Sequence, residues 1–153
     1  MPFVSRSIRL AGDIVIAGHV AGVFPLFSPL GELDWVPGWE PEILHPPGAS
    51  WERGMIFRTR EAKGEAIWIV SRLDRDARDV EYHRVEPGRY VARVTVRCAP
   101  AGDRSTVASV AYEFVGLSDA GNDEIAAMTE AAYAGKLARW RGWIEAYLVS
   151  GGA

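Results

Sequence analysis

The sequence predicts an α+β fold, with one antiparallel sheet and helices packed on a single face. Three observations carry this. Six stretches between Glu40 and Val115 have strand character and are joined by turns of a few residues. A further alternating stretch stands near the N-terminus, and a long stretch of helical period closes the chain. The composition, 153 residues with 48% hydrophobic and 24% charged, is that of an ordinary globular protein. A single domain over residues 1–153 is therefore expected.

Residues 3–16 read as the first strand. Ile8, Leu10, Ile14 and Ile16 share one parity, while Arg9 and Asp13 take the other. Gly12 in the middle suggests a bulge or bend. From His19 to Phe27, Val20, Val23, Phe24 and Phe27 fall at helical spacing, and Pro25 predicts a bend or two pieces. Leu30 to Trp35 gives a second short helical turn, closed by Pro37-Gly38. The six following strands are Glu40–Leu44, Gly54–Arg60, Glu65–Leu73, Val80–Val85, Tyr90–Cys98 and Ser105–Val115. Pro46-Pro47-Gly48, Lys63-Gly64, Glu86-Pro87-Gly88 and Ala101-Gly102-Asp103 separate them as turns. Strands this close in sequence pair antiparallel.

The last element is predicted as one helix from Asp123 to Leu148, with its cap around Asn122-Asp123-Glu124. Tyr133, Leu137, Trp140, Ile144 and Leu148 share one face. Ile125, Met128 and Ala132 lie on a rotated face, and Gly135 between them suggests a bend.

Several function classes are disfavoured. A net charge of −3 argues against nucleic acid as the main partner, because phosphate binding needs clustered Lys and Arg. Cys98 is the only cysteine, so neither a disulfide framework nor a Cys-built zinc site is expected. The three histidines, His19, His45 and His83, lack metal-ligand spacing, and no metal is expected. No phosphate-binding glycine motif is present, so no cofactor is implied. The apolar stretch from Ile14 to Leu30 is interrupted by His19, Pro25, Ser28 and Pro29, so neither a membrane span nor a leader is expected. A cytoplasmic protein is the default.

The element order resembles the helix-grip fold of the START-like (SRPBCC) superfamily, which includes birch-pollen-allergen-like proteins and polyketide cyclases. The local matches are Val23-Phe24-Pro25-Leu26-Phe27, Asp34-Trp35-Val36-Pro37-Gly38-Trp39, Ser105-Thr106-Val107 and Leu137-Ala138-Arg139-Trp140. They look most like the polyketide cyclase/dehydrase and Hsp90-ATPase-activator-like branches. The resemblance covers the whole chain. It implies a curved seven-stranded antiparallel sheet wrapped around the long C-terminal helix, two short helices between strands 1 and 2, and a cavity between sheet and helix. It also implies lipids, sterols, flavonoids or polyketides as ligands, and cyclisation or hydrolysis as activities.

Strand parity assigns the inward side chains: Ala66, Trp68 and Val70; then Val80, Tyr82 and Arg84; then Tyr90 to Cys98 by twos; then Thr106, Ala108, Val110, Tyr112 and Phe114. This face is apolar and aromatic with a few hydroxyls, the usual lining of a small-molecule pocket. The chain has six tryptophans. Trp68, Trp140 and Trp143 read as core, Trp51 as loop packing, and Trp35 and Trp39 as flanking a turn at the cavity mouth. The candidate ligand-binding residues are Trp35, Trp39, Trp68, Tyr82, Arg84, Tyr112, Tyr133 and Trp140. Arg84 is the candidate bidentate partner for a carboxylate or phenolate. Glu32 and Asp34 lie beside the cavity mouth, where paired carboxylates can divide acid and base roles, but they read first as solvated or capping groups; Lys136 reads as snorkelling to solvent, and Cys98 as a small buried hydrophobe. No catalytic residue is assigned.

Three functions follow in order of preference. The first is binding of a hydrophobic or aromatic, lipid- or polyketide-like molecule. The second is a cyclase- or hydrolase-like enzyme using polar groups of the same cavity. The third is a co-chaperone-like interaction domain. A second copy of the chain is a candidate partner.

Overall fold

A computed structural model describes residues 2–152. The alternating stretches form seven strands: β1 Ser7–Ile16, β2 Glu42–His45, β3 Ile56–Glu61, β4 Gly64–Asp74, β5 Asp79–Glu86, β6 Tyr90–Pro100 and β7 Thr106–Gly116. Every pairing is antiparallel, and the order across the curved sheet is β1-β7-β6-β5-β4-β3-β2. The hairpins place β3 to β7 side by side, and β1 then closes on β7, pairing Ser7 with Val115 through Ile16 with Thr106. This register puts Leu10, Ile14 and Ile16 on the same buried face as Ala108, Val110 and Tyr112. Gly12 makes no bulge, since the β1–β7 register runs through it unbroken. Its lack of a side chain serves packing: a Cβ there would stand 2.8 Å from Leu137 Cδ1 of the helix laid across it.

Between β1 and β2 the chain turns through α1 (Val20–Val23), a tight turn Phe24–Phe27 and a second Gly31–Asp34. Pro25 divides the first helical stretch into two pieces. His19 caps α1, its Nδ1 accepting from the Ala21 N–H at 3.1 Å.

The C-terminal region is two helices rather than one, α2 (Asp119–Ala126) and α3 (Glu130–Tyr147). The caps explain the division. Ser118, not Asn122, caps α2 by accepting from Gly121 N–H, and Thr129 caps α3 by accepting from Ala132 N–H. Asn122 instead lies inside α2, where its amide accepts from Arg6 N–H and donates to the Val4 carbonyl, both at 2.9 Å. The rotated apolar face is divided by the break, with Ile125 in α2, Met128 between the helices and Ala132 in α3, and α3 runs unbroken through Gly135. Thr129→Ala is expected to cost about 1 kcal/mol, read as a lower urea midpoint.

Helix α3 crosses the concave face of the sheet with Tyr133, Leu137 and Ile144 buried against it. No helix among the described residues is long and apolar enough to cross a membrane.

Candidate ligand-binding site

The concave face is not filled throughout. A chamber of about 200 Å³ remains beneath α3. Trp39, Phe57, Trp68, Tyr82, Tyr112 and Trp140 give it aromatic walls. An apolar cavity of about 150 Å³ is enough to hold benzene in another protein, so this one takes one ring or a small fused pair.

The walls are rigid because their polar handles are used behind them. Trp39 Nε1 donates to the Pro29 carbonyl at 2.8 Å, and Trp68 Nε1 donates to Thr59 Oγ1 at 3.0 Å. Tyr82 Oη donates to the Phe27 carbonyl at 2.7 Å and accepts from Trp51 Nε1 at 3.1 Å. The rings brace one another: Phe57 stacks on Trp68 with centroids 5.4 Å apart, and Trp39 meets Trp68 edge-on at 5.7 Å.

Of the residues singled out in the sequence, Trp39, Trp68, Tyr82, Arg84, Tyr112 and Trp140 line this chamber. Trp35 stands behind it rather than at a mouth. Its indole N–H donates to the Leu26 carbonyl at 2.7 Å, and its ring packs edge-on against Phe27 and Trp140. Tyr133 also turns away from the chamber, donating to the Val110 carbonyl at 2.8 Å. Trp143 is half-buried at the margin of the core, and Trp51 is a loop residue that braces Tyr82.

Two chamber groups depart from their sequence reading. Lys136 does not snorkel out. Its Nζ lies over the Tyr112 ring, 4.0 Å from the centroid, and 5.2 Å from the Trp140 centroid. Glu32 faces the same chamber, positioned by the turn Gly31–Asp34.

Burial acts on both groups. It raises the Glu32 carboxyl well above its usual range, against the pull of Lys136. It pushes the Lys136 ammonium down to about 8, aided by the positive Arg84 and Arg139 and opposed by Glu32 and Glu61. Tyr112 is also driven upward by burial, so its hydroxyl stays protonated at neutral pH.

Arg84 closes one end. Its guanidinium lies 5.3 Å from the Trp68 ring centroid and donates to Tyr90 Oη at 3.2 Å. Glu86, only 2% exposed, accepts from both Arg84 and Arg89, and Arg89 continues to Glu124 of α2. Among the described residues, Arg84 Nε is the buried side-chain donor or acceptor atom left without a partner. A second recess of about 250 Å³ lies on the far side of Arg84 and Lys136, toward Met128 and Thr129 at the α2–α3 junction. A larger groove of about 720 Å³ follows β1 along α3, but Tyr133 is the one aromatic side chain in its lining. Among the described residues no His, Cys, Asp and Glu cluster fit to hold a metal ion is found.

The sheet order, its curvature and the helix across its concave face define the helix-grip fold. Solved structures share it. One is norcoclaurine synthase from Thalictrum flavum in complex with dopamine and hydroxybenzaldehyde, at TM-score 0.67 and 15% identity, covering 92% of this chain and 87% of that one. Another is the Zhui aromatase/cyclase from a Streptomyces species, at TM-score 0.70 and 19% identity, covering 97% and 100%. A third is the ginseng major latex-like protein 151 from Panax ginseng, at TM-score 0.68 and 14% identity, covering 92% and 97%. No protein-family model and no curated protein sequence matches the chain. Identities this low establish the fold alone, and the fold resemblance read in the sequence is borne out at that level.

Proposed function

We propose that this domain binds a one- or two-ring aromatic molecule carrying an acidic group, with its rings in the chamber and its anion on Arg84. The observation that carries this reading is that Arg84, whose buried Nε has no partner, lines an aromatic chamber. A buried donor left unpaired costs free energy that an arriving oxygen recovers. Lys136 adds positive charge on the same side, while burial raises the Glu32 carboxyl well above its usual range and so disfavours a competing negative charge there. That similarly folded proteins hold small aromatic compounds, as the norcoclaurine synthase complex does, supports the reading. The open chamber favours it over an interaction domain, which needs a filled interior.

The test is tryptophan fluorescence with 2-naphthoate and its neutral analogue 2-naphthalenemethanol. Both are expected to quench. A hydrogen bond to a charged group is worth about 1.5–3 kcal/mol, so the acid is expected to bind roughly 10- to 100-fold more tightly. In Arg84→Met that preference is expected to fall to about twofold, with the neutral compound little affected. Equal affinities in the unaltered protein, or no quenching by either compound, would overturn the proposal.

A further inference from the structure

We propose that Lys136 captures a carbonyl compound in the chamber as a covalent imine, with Glu32 as the acid that expels water. The inference rests on the chamber being a ligand site and adds a chemical step to it.

The first support is composition. Of 17 basic residues, lysine occupies only positions 63 and 136, and the other fifteen are arginine. Arginine does not lose its proton in proteins, whereas lysine does when buried. The chain therefore places one of its two lysines in the chamber that needs explaining. Lys63 is exposed and lies 4.0 Å from Glu124. Lys136 has aromatic faces rather than a carboxylate against its Nζ, and it stands where both the chamber and the recess behind it reach it.

The second support is the set of charged groups around it. Arg84 from β5 and Arg139 from α3 disfavour its proton, while Glu32 from the turn Gly31–Asp34 and Glu61 from β3 favour it. Burial and the two arginines prevail, so roughly a tenth of the amine is free at pH 7 and about half at pH 8, far more than for an ordinary lysine. Tyr112 from β7 is held protonated and brings no charge.

The Nζ lone pair attacks the carbonyl carbon, and the C=O pair moves to oxygen. A proton shifts from nitrogen to that oxygen, giving a carbinolamine. The C–O bond then breaks as the Glu32 carboxyl donates its proton to the departing hydroxyl, which leaves as water. The nitrogen lone pair forms C=N, leaving an iminium cation beside the Glu32 carboxylate. No oxidant or reductant enters. The ligand class is an aromatic aldehyde or an aryl-substituted enal.

The test treats the intact chain with trans-cinnamaldehyde, reduces any imine with cyanoborohydride and maps the adduct by peptide mass. One adduct is expected on Lys136, forming more than about tenfold faster than on Lys63. Its rate is expected to climb as pH rises toward about 8 and then level off. Urea-unfolded chain is expected to lose the preference, and 2-naphthoate to slow labelling of the folded chain. Labelling confined to Lys63 or the N-terminal amine, or equal in folded and unfolded chain, would overturn the inference. If 2-naphthoate still quenches in that case, the binding reading stands and only the covalent step falls; loss of both removes both.

Discussion

Glu86→Gln is expected to destabilise the fold by about 3–5 kcal/mol, the usual cost of breaking a buried ion pair from one side. Glu86 is almost fully buried and accepts from two arginines, one on each carboxylate oxygen. Arg84 belongs to the chamber wall, and Arg89 leads through Glu124 to α2. Neutralising the carboxylate leaves the Arg84 charge buried against Trp68 and Tyr90 with no counterion. Urea unfolding reads the loss, and a change under about 1 kcal/mol would show that water already screens this cluster. The substitution also has an opposite effect on binding. Arg84 no longer shares its charge with Glu86, so the folded fraction is expected to bind 2-naphthoate more tightly than the unaltered protein does.

Gly121→Ala has the second large expected effect, about 3 kcal/mol of destabilisation. A Cβ at this position would lie 1.6 Å from the Arg89 carbonyl oxygen. The oxygen is main chain and the position of a Cβ is fixed by its own main chain, so no side-chain rotation relieves the clash. The first turn of α2 sits directly on the β5–β6 turn, where Leu117 N–H donates to that same carbonyl at 2.9 Å and Ser118 Oγ to the Gly88 carbonyl at 2.6 Å. Moving α2 outward breaks these bonds and strains the Arg89–Glu124 pair. Gly142→Ala in α3 is the control. Nothing lies within 4 Å of its added methyl group, so it is expected to stabilise by up to about 1 kcal/mol. Thermal or urea unfolding of the two variants should move in opposite directions.

Sheet residues were legible because a period of two assigns a side as well as an element. Arg84 follows Tyr82 on the inward parity of β5, and the structure puts both in the chamber. The predicted strands from Glu40 onward agree with β2 to β7 to within two residues at each end. The helical region was less legible. Ser118 and Thr129 are ordinary cap formers, but the stronger carboxylate cluster at Asn122-Asp123-Glu124 drew the predicted start inward and joined two helices. The sequence presents Glu32 and Lys136 as solvent groups because a polar residue near an apolar face usually reaches water. Their inward placement comes from tertiary packing, which brings a turn before β2 against the middle of α3. One sequence signal did point to Lys136: the scarcity of lysine in an arginine-rich chain. Trp35 shows the reverse limit. A Pro-Gly turn beside it suggested a pocket mouth, whereas its indole is spent on the Leu26 carbonyl.

The most direct measurement is a crystal structure of the protein with 2-naphthoate bound. The account predicts the fused rings among Trp39, Trp68, Tyr112 and Trp140, with a carboxylate oxygen within hydrogen-bond distance of Arg84 Nε. Ligand seated instead in the larger groove along β1, with the chamber beneath α3 unfilled, would contradict it.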